Sequence, residues 1–581
     1  MSGKLRPFGD PDKPSKVEKA KANSRRLRSS IAEVLASDAP AFEHDDIQTM
    51  KFHGIYQQDD RDARPALKAV GLDKQYSFMV RVKIPGGALT PRQYLAMDQI
   101  ADQFTYNASL RVTTRQTFQL HGVVKGELKL AMQQINHTLL STLCGCGDVE
   151  RNIMAPPAPI NDPAHNAVRQ LANKLSEGLV PQTNAYFEIW LDGQKVESSK
   201  EDEPLYGETY LPRKFKTGIA LPDDNSTDVH SQDVGLIAIV DDDGALLGCN
   251  LLVGGGLGMT HKKPETYARL GTELGFVDAQ HVVDAARVVA SIFRDFGDRT
   301  DRKHARLKYI VEEQGIDAFR DEFASRAQFP LKPWVEVGQL THQDWLGKHP
   351  QDEQSFFYGV FIPNGRIIDR EKVRLKSALK TIVQSLEPTV ILTPNQNVIF
   401  GDLSGDDLKK LEKILDAYNV PKVESLSGVR RHSMACPALP TCGVALTESE
   451  RVFPDVVDAL EKLCEELGVD DAPFTVRMTG CPNGCARPYT ADVGLVGHKP
   501  GHYDLFLGGA RHGHRMAEFY AQNVPIENIP DVLRPIFHRW ADERMPEEPL
   551  GDFYNRTYAD NAHRHIATGD RDHPASERVG V

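Results

Sequence analysis

The chain has 581 residues, 40% of them apolar and 26% charged, which suits a globular protein with roughly two to four domain cores. A formal net charge of −12 gives wholesale nucleic-acid binding no electrostatic support, and no run approaches the roughly 20 apolar residues of a membrane helix. The first 45 residues mix both charge signs without an apolar stretch, so neither a secretory signal nor a transit peptide is expected, and the cytoplasm is the expected location.

In chain order, residues 1–60 read as a polar arm, a candidate surface for partner docking. Residues 78–87, FMVRVKIPGG, predict an apolar strand entering a turn, followed by the helix-like AMDQIADQF. Far along the chain the pattern returns: FYGVFIPNGR at 357–366, then LKSALKTIVQSL. VTTRQTFQL at 112–120 aligns with LTPNQNVIF at 392–400, placing Gln116 opposite Gln396. From Gln116 to Arg151 is 35 positions, and so is Gln396 to Arg431; those arginines open RNIMA and RHSMA. Generic strand punctuation is the plain alternative, but two agreements at one offset of 280 point to a duplication. Two such halves predict a pseudo-two-fold axis with a large ligand shared between them. The layout expected is a pair of repeated α+β units at 61–140 and 345–420. Longer mixed segments lie at 141–335 and 421–555, and a polar tail at 556–581 is expected to be poorly ordered.

Eight cysteines are too few for a disulfide scaffold in a chain this long. Cys144, Cys146, Cys249 and Cys464 read as small buried hydrophobes. The other four form Cys436-x5-Cys442 and Cys481-x3-Cys485, the first interval carrying two prolines and the second lying in TGCPNGC. Four thiolates suit an iron–sulfur cubane or a structural zinc ion. Small kinked loops that can aim backbone amides at sulfur favour the cluster.

C-x5-C with TGCPNGC resembles the signature of the siroheme-dependent sulfite and nitrite reductases. RQTFQLHG, YLPRKFKTG, NLLVGGGL and DRTDRK resemble the NADPH-type sulfite enzymes of that family, so the likeness covers roughly residues 50–555. The resemblance implies an α+β fold of duplicated ferredoxin-like units and two mixed α/β siroheme-binding domains about a pseudo-two-fold axis. It implies siroheme and a 4Fe–4S cluster held by Cys436, Cys442, Cys481 and Cys485, with Cys485 also the axial ligand of siroheme. Arg81, Arg151, Lys214 and Lys216 match the residues that hold sulfite in the family.

Siroheme carries eight carboxylates and sulfite is a dianion, so a pocket for both must concentrate positive charge. On an extended strand Arg111, Thr113, Arg115, Gln119 and His121 would share one polar face; a solvated face is the plain reading, and the resemblance implies siroheme contact instead. Arg213, Arg306 and Asn483 are further candidates. VGGGLGM at 253–259 lacks the G-x-G-x-x-G spacing, so close packing against the tetrapyrrole is expected there rather than a nucleotide. With no nicotinamide or flavin fingerprint, NADPH is expected to act only through a partner flavoprotein, or ferredoxin in its place. The reaction implied is six-electron reduction of sulfite to sulfide, feeding cysteine biosynthesis. Ferredoxin-dependent sulfite or nitrite reduction is the nearest alternative, Lys216 standing where nitrite enzymes tend to have asparagine, and a structural zinc protein is a remote one.

Overall fold

The computed structural model describes residues 4–10, 12–182, 188–191, 194–198, 203–470 and 472–558, so the expected polar tail lies almost wholly outside the described residues. Two apolar runs ending in Ile-Pro become strands Tyr76–Arg81 and Phe356–Val360, each buried on alternate or successive positions. Each is followed by an amphipathic helix, Pro91–Phe104 and Leu375–Leu386, the first started by a Thr90 capping box with Pro91 at its first position.

Each unit forms a five-stranded sheet, and each sheet borrows a strand from the other half. Arg366–Ile367 pairs with Leu110–Val112 in the first sheet, and Ala88–Leu89 pairs with Thr389–Leu392 in the second. One apolar core runs through both units, from Phe78 and Val80 to Leu379 and Phe400. The duplicated glutamines do the same work in both halves. Gln116 exchanges two hydrogen bonds with Ala155 at 2.9 Å, and Gln396 donates to Ala435 O at 3.0 Å. Both adopt left-handed φ, 53° and 67°.

The lent strands depend on glycine. Gly87 and Gly365 have φ of 78° and 73°, and a Cβ on either would stand 2.3 Å from Leu392 O or 2.2 Å from Val112 O. Gly365→Ala is therefore expected to cost about 1–3 kcal/mol from the backbone conformation alone, with the collision added. The urea midpoint should fall; an unchanged midpoint would show that the exchange is not a source of stability.

The two longer segments repeat one topology as well. Thr217–Ala220, Val234–Val240, Leu246–Val253 and Thr272–Asp278 form one sheet, with Met154 bridging Gly218 in parallel. Ser433–Ala435, Val476–Thr479, Val493–Lys499, His502–Leu507 and Glu518–Pro525 form the other. In each, parallel pairing gives way to antiparallel pairing at the same place. Helices Val282–Phe296 and Phe453–Leu467 bury their apolar faces on these sheets.

Residues 1–60 are not a free arm where they are described. Helix Lys16–Ala22 buries Glu18 and Lys21; Lys21 Nζ donates to Leu211 O at 2.8 Å, and Arg299 pairs with Glu18. Strand Ile55–Asp59 edges the first sheet, so that unit begins before residue 61. No described helix is long and apolar enough to cross a membrane.

Candidate active site and metal centre

The four cysteines come from two loops that flank the sheet of the second half. Cys436 follows strand Ser433–Ala435 and accepts from the Gly480 amide at 3.3 Å, while its own amide donates to Met478 O. The Asn483 side-chain amide donates to Cys481 Sγ at 3.6 Å, and the Val444 and Ala445 amides face Cys442. Burial pushes the Cys481 thiol up to about 12 and those of Cys436 and Cys442 upward too. The thiols reinforce one another in this, Cys485 acting on all three. Among the described residues no three His, Cys, Asp or Glu side chains gather as a cage for a single ion. Four thiols in mutual electrostatic contact, with amide N–H groups directed at their sulfurs, fit an iron–sulfur cluster. Cys485 is the one of the four that is exposed.

Arg61 braces this centre from the first sheet's edge. Its amide donates to Pro440 O at 3.2 Å, and its guanidinium donates to Cys442 O at 3.1 Å and Ala445 O at 2.6 Å. Fixing those carbonyls outward leaves the Val444 and Ala445 amides aimed at the Cys442 sulfur. Arg61→Gln is expected to move the potential of a bound cluster to more negative values, since a cation and oriented amides both favour the reduced, more anionic state. A redox titration that finds the potential unmoved would limit Arg61 to loop packing.

The first half gathers a basin of cations. Lys214 and Lys216 point the same way on either side of Phe215, which is buried in the core and bridges Glu150. Neither lysine has an ion-pair partner among the described residues. Burial, then neighbouring cations, push both ammonium groups well below their ordinary pKa; for Lys214 the foremost such neighbour is Lys216. Both are only half-buried by exposure, so they line the floor of a concavity rather than a sealed core. Arg115 donates to Gln232 Oε1 at 2.8 Å and to the Asn152 and Thr217 carbonyls, and burial pulls its pKa down to about 10. Arg151 donates to Gly147 O at 3.3 and 3.2 Å. Arg213 adds a further cation without a carboxylate partner among the described residues, and Arg306 is held by Asp233 at 2.9 and 3.0 Å. Glu150, bonded to Thr217, is raised by its burial to about 7.

The strand predicted from Arg111 to His121 is instead a hairpin. Leu110–Val112 and Phe118–Val123 pair with Arg111 opposite Gln119, and 113–117 is the turn. The left-handed Gln116 breaks the alternation on which the one-face reading depended. Thr113 builds that turn, its Oγ1 accepting from the Arg115 and Thr117 amides. Arg111 donates to Ala435 O at 2.9 Å and to Glu450, which also takes Arg366 at 2.6 and 2.9 Å. His121 contacts Arg366 at 3.3 Å. Because the Glu450 amide donates to Cys436 O at 3.1 Å, this triad stands directly behind a cluster cysteine. With its amide turned, Gln119 accepts from Arg81 Nε at 3.3 Å.

Two loops join the basin to the cysteines. The hairpin turn reaches Cys485, Thr114 Oγ1 donating to its carbonyl at 3.0 Å. The glycine stretch meets the same loop, Met259 N donating to Pro482 O at 2.9 Å. Its glycines allow close approach to protein: a Cβ on Gly256 would lie 2.7 Å from the Arg306 guanidinium, and one on Gly258 3.2 Å from Asn483 O. Asn483 is engaged with Cys481 rather than with the basin. A separate apolar cavity of about 520 Å³, lined by Leu27, Ile31, Met50 and Leu128, lies away from these groups.

Cys146 is misplaced by its reading as an incidental hydrophobe. It is buried, but Arg81 Nη1 approaches its sulfur at 3.1 Å. Tyr56 adjoins it and hydrogen-bonds Arg151. No spacing pattern links Tyr56, Cys146, Asp233 or Glu450 to the site.

The comparisons with known proteins agree with this architecture. The family model described as nitrite and sulphite reductase 4Fe-4S domain matches residues 171–331 and 428–559. The nitrite/sulfite reductase ferredoxin-like half domain matches 72–137 and 349–418. The chain belongs to the nitrite and sulfite reductase family. Among curated relatives, the NADPH-type sulfite reductase hemoprotein beta-component of Staphylococcus haemolyticus is 44% identical, over 93% of this chain and 94% of its own. That of Myxococcus xanthus is 43% identical over 93% and 96%. The ferredoxin-type sulfite reductase of Synechococcus elongatus is 42% identical over 95% and 91%. The solved structure of Mycobacterium tuberculosis NirA superposes with a TM-score of 0.77 at 22% identity, over 94% of this chain and 98% of that one, and shares the fold.

Proposed function

We propose that this chain is the catalytic subunit of a sulfite reductase, which converts sulfite to sulfide at a siroheme coupled to a 4Fe–4S cluster. The observation that carries the reading is a cluster of half-buried cations without carboxylate partners among the described residues, Lys214 and Lys216 foremost, joined through the hairpin turn at Thr114 to the exposed cysteine of a four-cysteine set. Cys436, Cys442 and Cys481 would anchor the cluster, and Cys485 would hold both the cluster and the siroheme. The bound group supplies one-electron transfer and a metal site for sulfur.

The protein's residues supply the rest. Lys214, Lys216, Arg151 and Arg81 draw in the dianion and offset its charge, where a floor poor in carboxylates makes each cation count for more than it would in water. Six electrons and matching protons cleave three S–O bonds, each oxygen leaving as water. Lysines whose pKa is pulled down give up protons more readily than free lysine, which suits Lys214 and Lys216 as proton donors to the departing oxygens. Arg115 and Arg213 offer the planar donors that suit the carboxylates of siroheme, while Arg306 is occupied by Asp233.

Electrons come from a separate donor, since no nicotinamide or flavin fingerprint is present in the sequence. Relatives of both the NADPH and ferredoxin types match over nearly the whole chain. The segment FHGIYQQDDRDAR at 52–64 resembles the NADPH-type subunit, which favours the flavoprotein donor. The cytoplasm, where such carriers are available, is the compartment this reading assigns. The test is steady-state turnover of sulfite and nitrite by the holoenzyme with a chemical reductant, then with NADPH-reduced flavoprotein and reduced ferredoxin. Higher kcat/KM for sulfite is expected, with the flavoprotein the better donor. A preference for nitrite would move the assignment to the other branch of the family.

A further inference from the structure

The internal two-fold generates a second basin, and sheet register identifies its residues. Thr217 pairs with Val234 in the first half and Val476 with Val493 in the second, so counterparts lie 259 positions apart. Cys485 then corresponds to Ser226, Lys216 to Thr475, and Arg487 to Asp228. The last pair confirms the register: both residues are left-handed, at 58° and 55°, and both precede a single 3-10 turn. They also meet, Arg487 Nη1 standing 3.2 Å from Asp228 Oδ2. Without a thiol at Ser226 the second basin cannot repeat the first one's metal chemistry.

It has nonetheless kept positive charge. Arg431, the mate of Arg151, is joined by Arg477, Arg487 and Arg511, facing Asp228, Asp344 and Asp492. Those carboxylates are engaged. Asp228 is shared by two arginines, Asp344 holds Arg431 at 2.7 Å, and Asp492 accepts from Thr475 and from the Gly551 amide. Arg511 has no hydrogen-bond or ion-pair partner among the described residues. The Nε atoms of Arg477, Arg487 and Arg511 are buried without an acceptor, and so is Nδ1 of His342. Arg477, Arg487 and His342 are each more than nine-tenths buried. His342 and His432 lie side by side, ring centroids 6.4 Å apart, and both feel Arg511 and Arg477.

His342 reaches this place on the segment joining the two halves. That segment is stitched to the first half by Asn225 N to Thr341 O at 2.7 Å and Trp345 Nε1 to Asp224 Oδ2 at 2.7 Å. Buried donors left without acceptors are rare because each costs the loss of its water. So many around one set of arginines calls for a bound anion.

We propose that this second basin is a non-catalytic site for a small inorganic oxyanion. Arg511 is its principal ligand and His342 an accessory donor, and the anion ties the inter-half segment to the second domain. The inference rests on the register of the fold and not on the catalytic reading.

Selenate is a suitable probe, because selenium is located directly by anomalous scattering. Crystals of the holoenzyme soaked in selenate should show one peak beside Lys214 and Lys216 and a second beside Arg511. In Arg511→Gln the second peak should vanish while the first peak and the visible cofactor spectrum persist. Water alone in the second basin, at a concentration that fills the first, would overturn the proposal. So would a second peak undiminished in the variant. The wild-type soak decides the matter even if the variant fails to load its cofactors.

Discussion

Cys485→Ser is expected to abolish the spectrum of coupled cofactors and reduce sulfite turnover to background. Cys436 and Cys481 are buried and Cys442 nearly so, each met by amide N–H groups, whereas Cys485 alone of the four is exposed, on the loop that the hairpin turn touches through Thr114. Three anchors remain after the substitution, so a damaged cluster can persist. The connection to a second group cannot, because a serine hydroxyl is a harder donor that resists deprotonation. Absorbance and electron paramagnetic resonance of the purified variant report this directly. Full siroheme absorbance with undiminished turnover would show that Cys485 is not the bridge.

The second large effect concerns Lys216. It is a cation without a carboxylate partner among the described residues, flanked by Arg115, Arg306 and Arg151, and removing it leaves no counter-charge stranded. Lys216→Asn is expected to lower kcat/KM for sulfite by about 10²–10³-fold, the scale found when one donor to a developing charge is removed. Nitrite carries a single charge and should lose less, so the ratio of the two kcat/KM values should shift toward nitrite. A purely structural lysine would lower both alike, and that equal loss would remove Lys216 from the substrate site. Separating kcat from KM distinguishes proton delivery from binding, since lost binding alone raises KM.

Much of the site was legible because its strongest signals are local. C-x5-C and C-x3-C depend on residue type and short spacing, and the duplication needed only the recurrence of Gln and Arg at one offset. The misreadings share another cause. An alternating run from Arg111 to His121 looks like a strand, but one left-handed residue, Gln116, folds it into a hairpin. The lent strands Ala88–Leu89 and Arg366–Ile367 are two residues long, too short for any periodic signal. Cys146 looked inert because nothing near it in sequence announces Arg81, which lies 65 positions away.

The sequence by itself determined the chemistry on offer: four thiols in two kinked loops, a set of arginines and lysines in the other half, and a two-fold repeat to bring them together. Only the tertiary structure decided which of those groups remain available. Arg111 and Arg306 are taken up by Glu450 and Asp233, while Lys214 and Lys216 have no ion-pair partner among the described residues. Whether a charge is neutralised depends on a partner within a few ångströms, and here that partner is as far as 339 positions along the chain. Of the four cysteines, which stays exposed was likewise decided by how the loops pack.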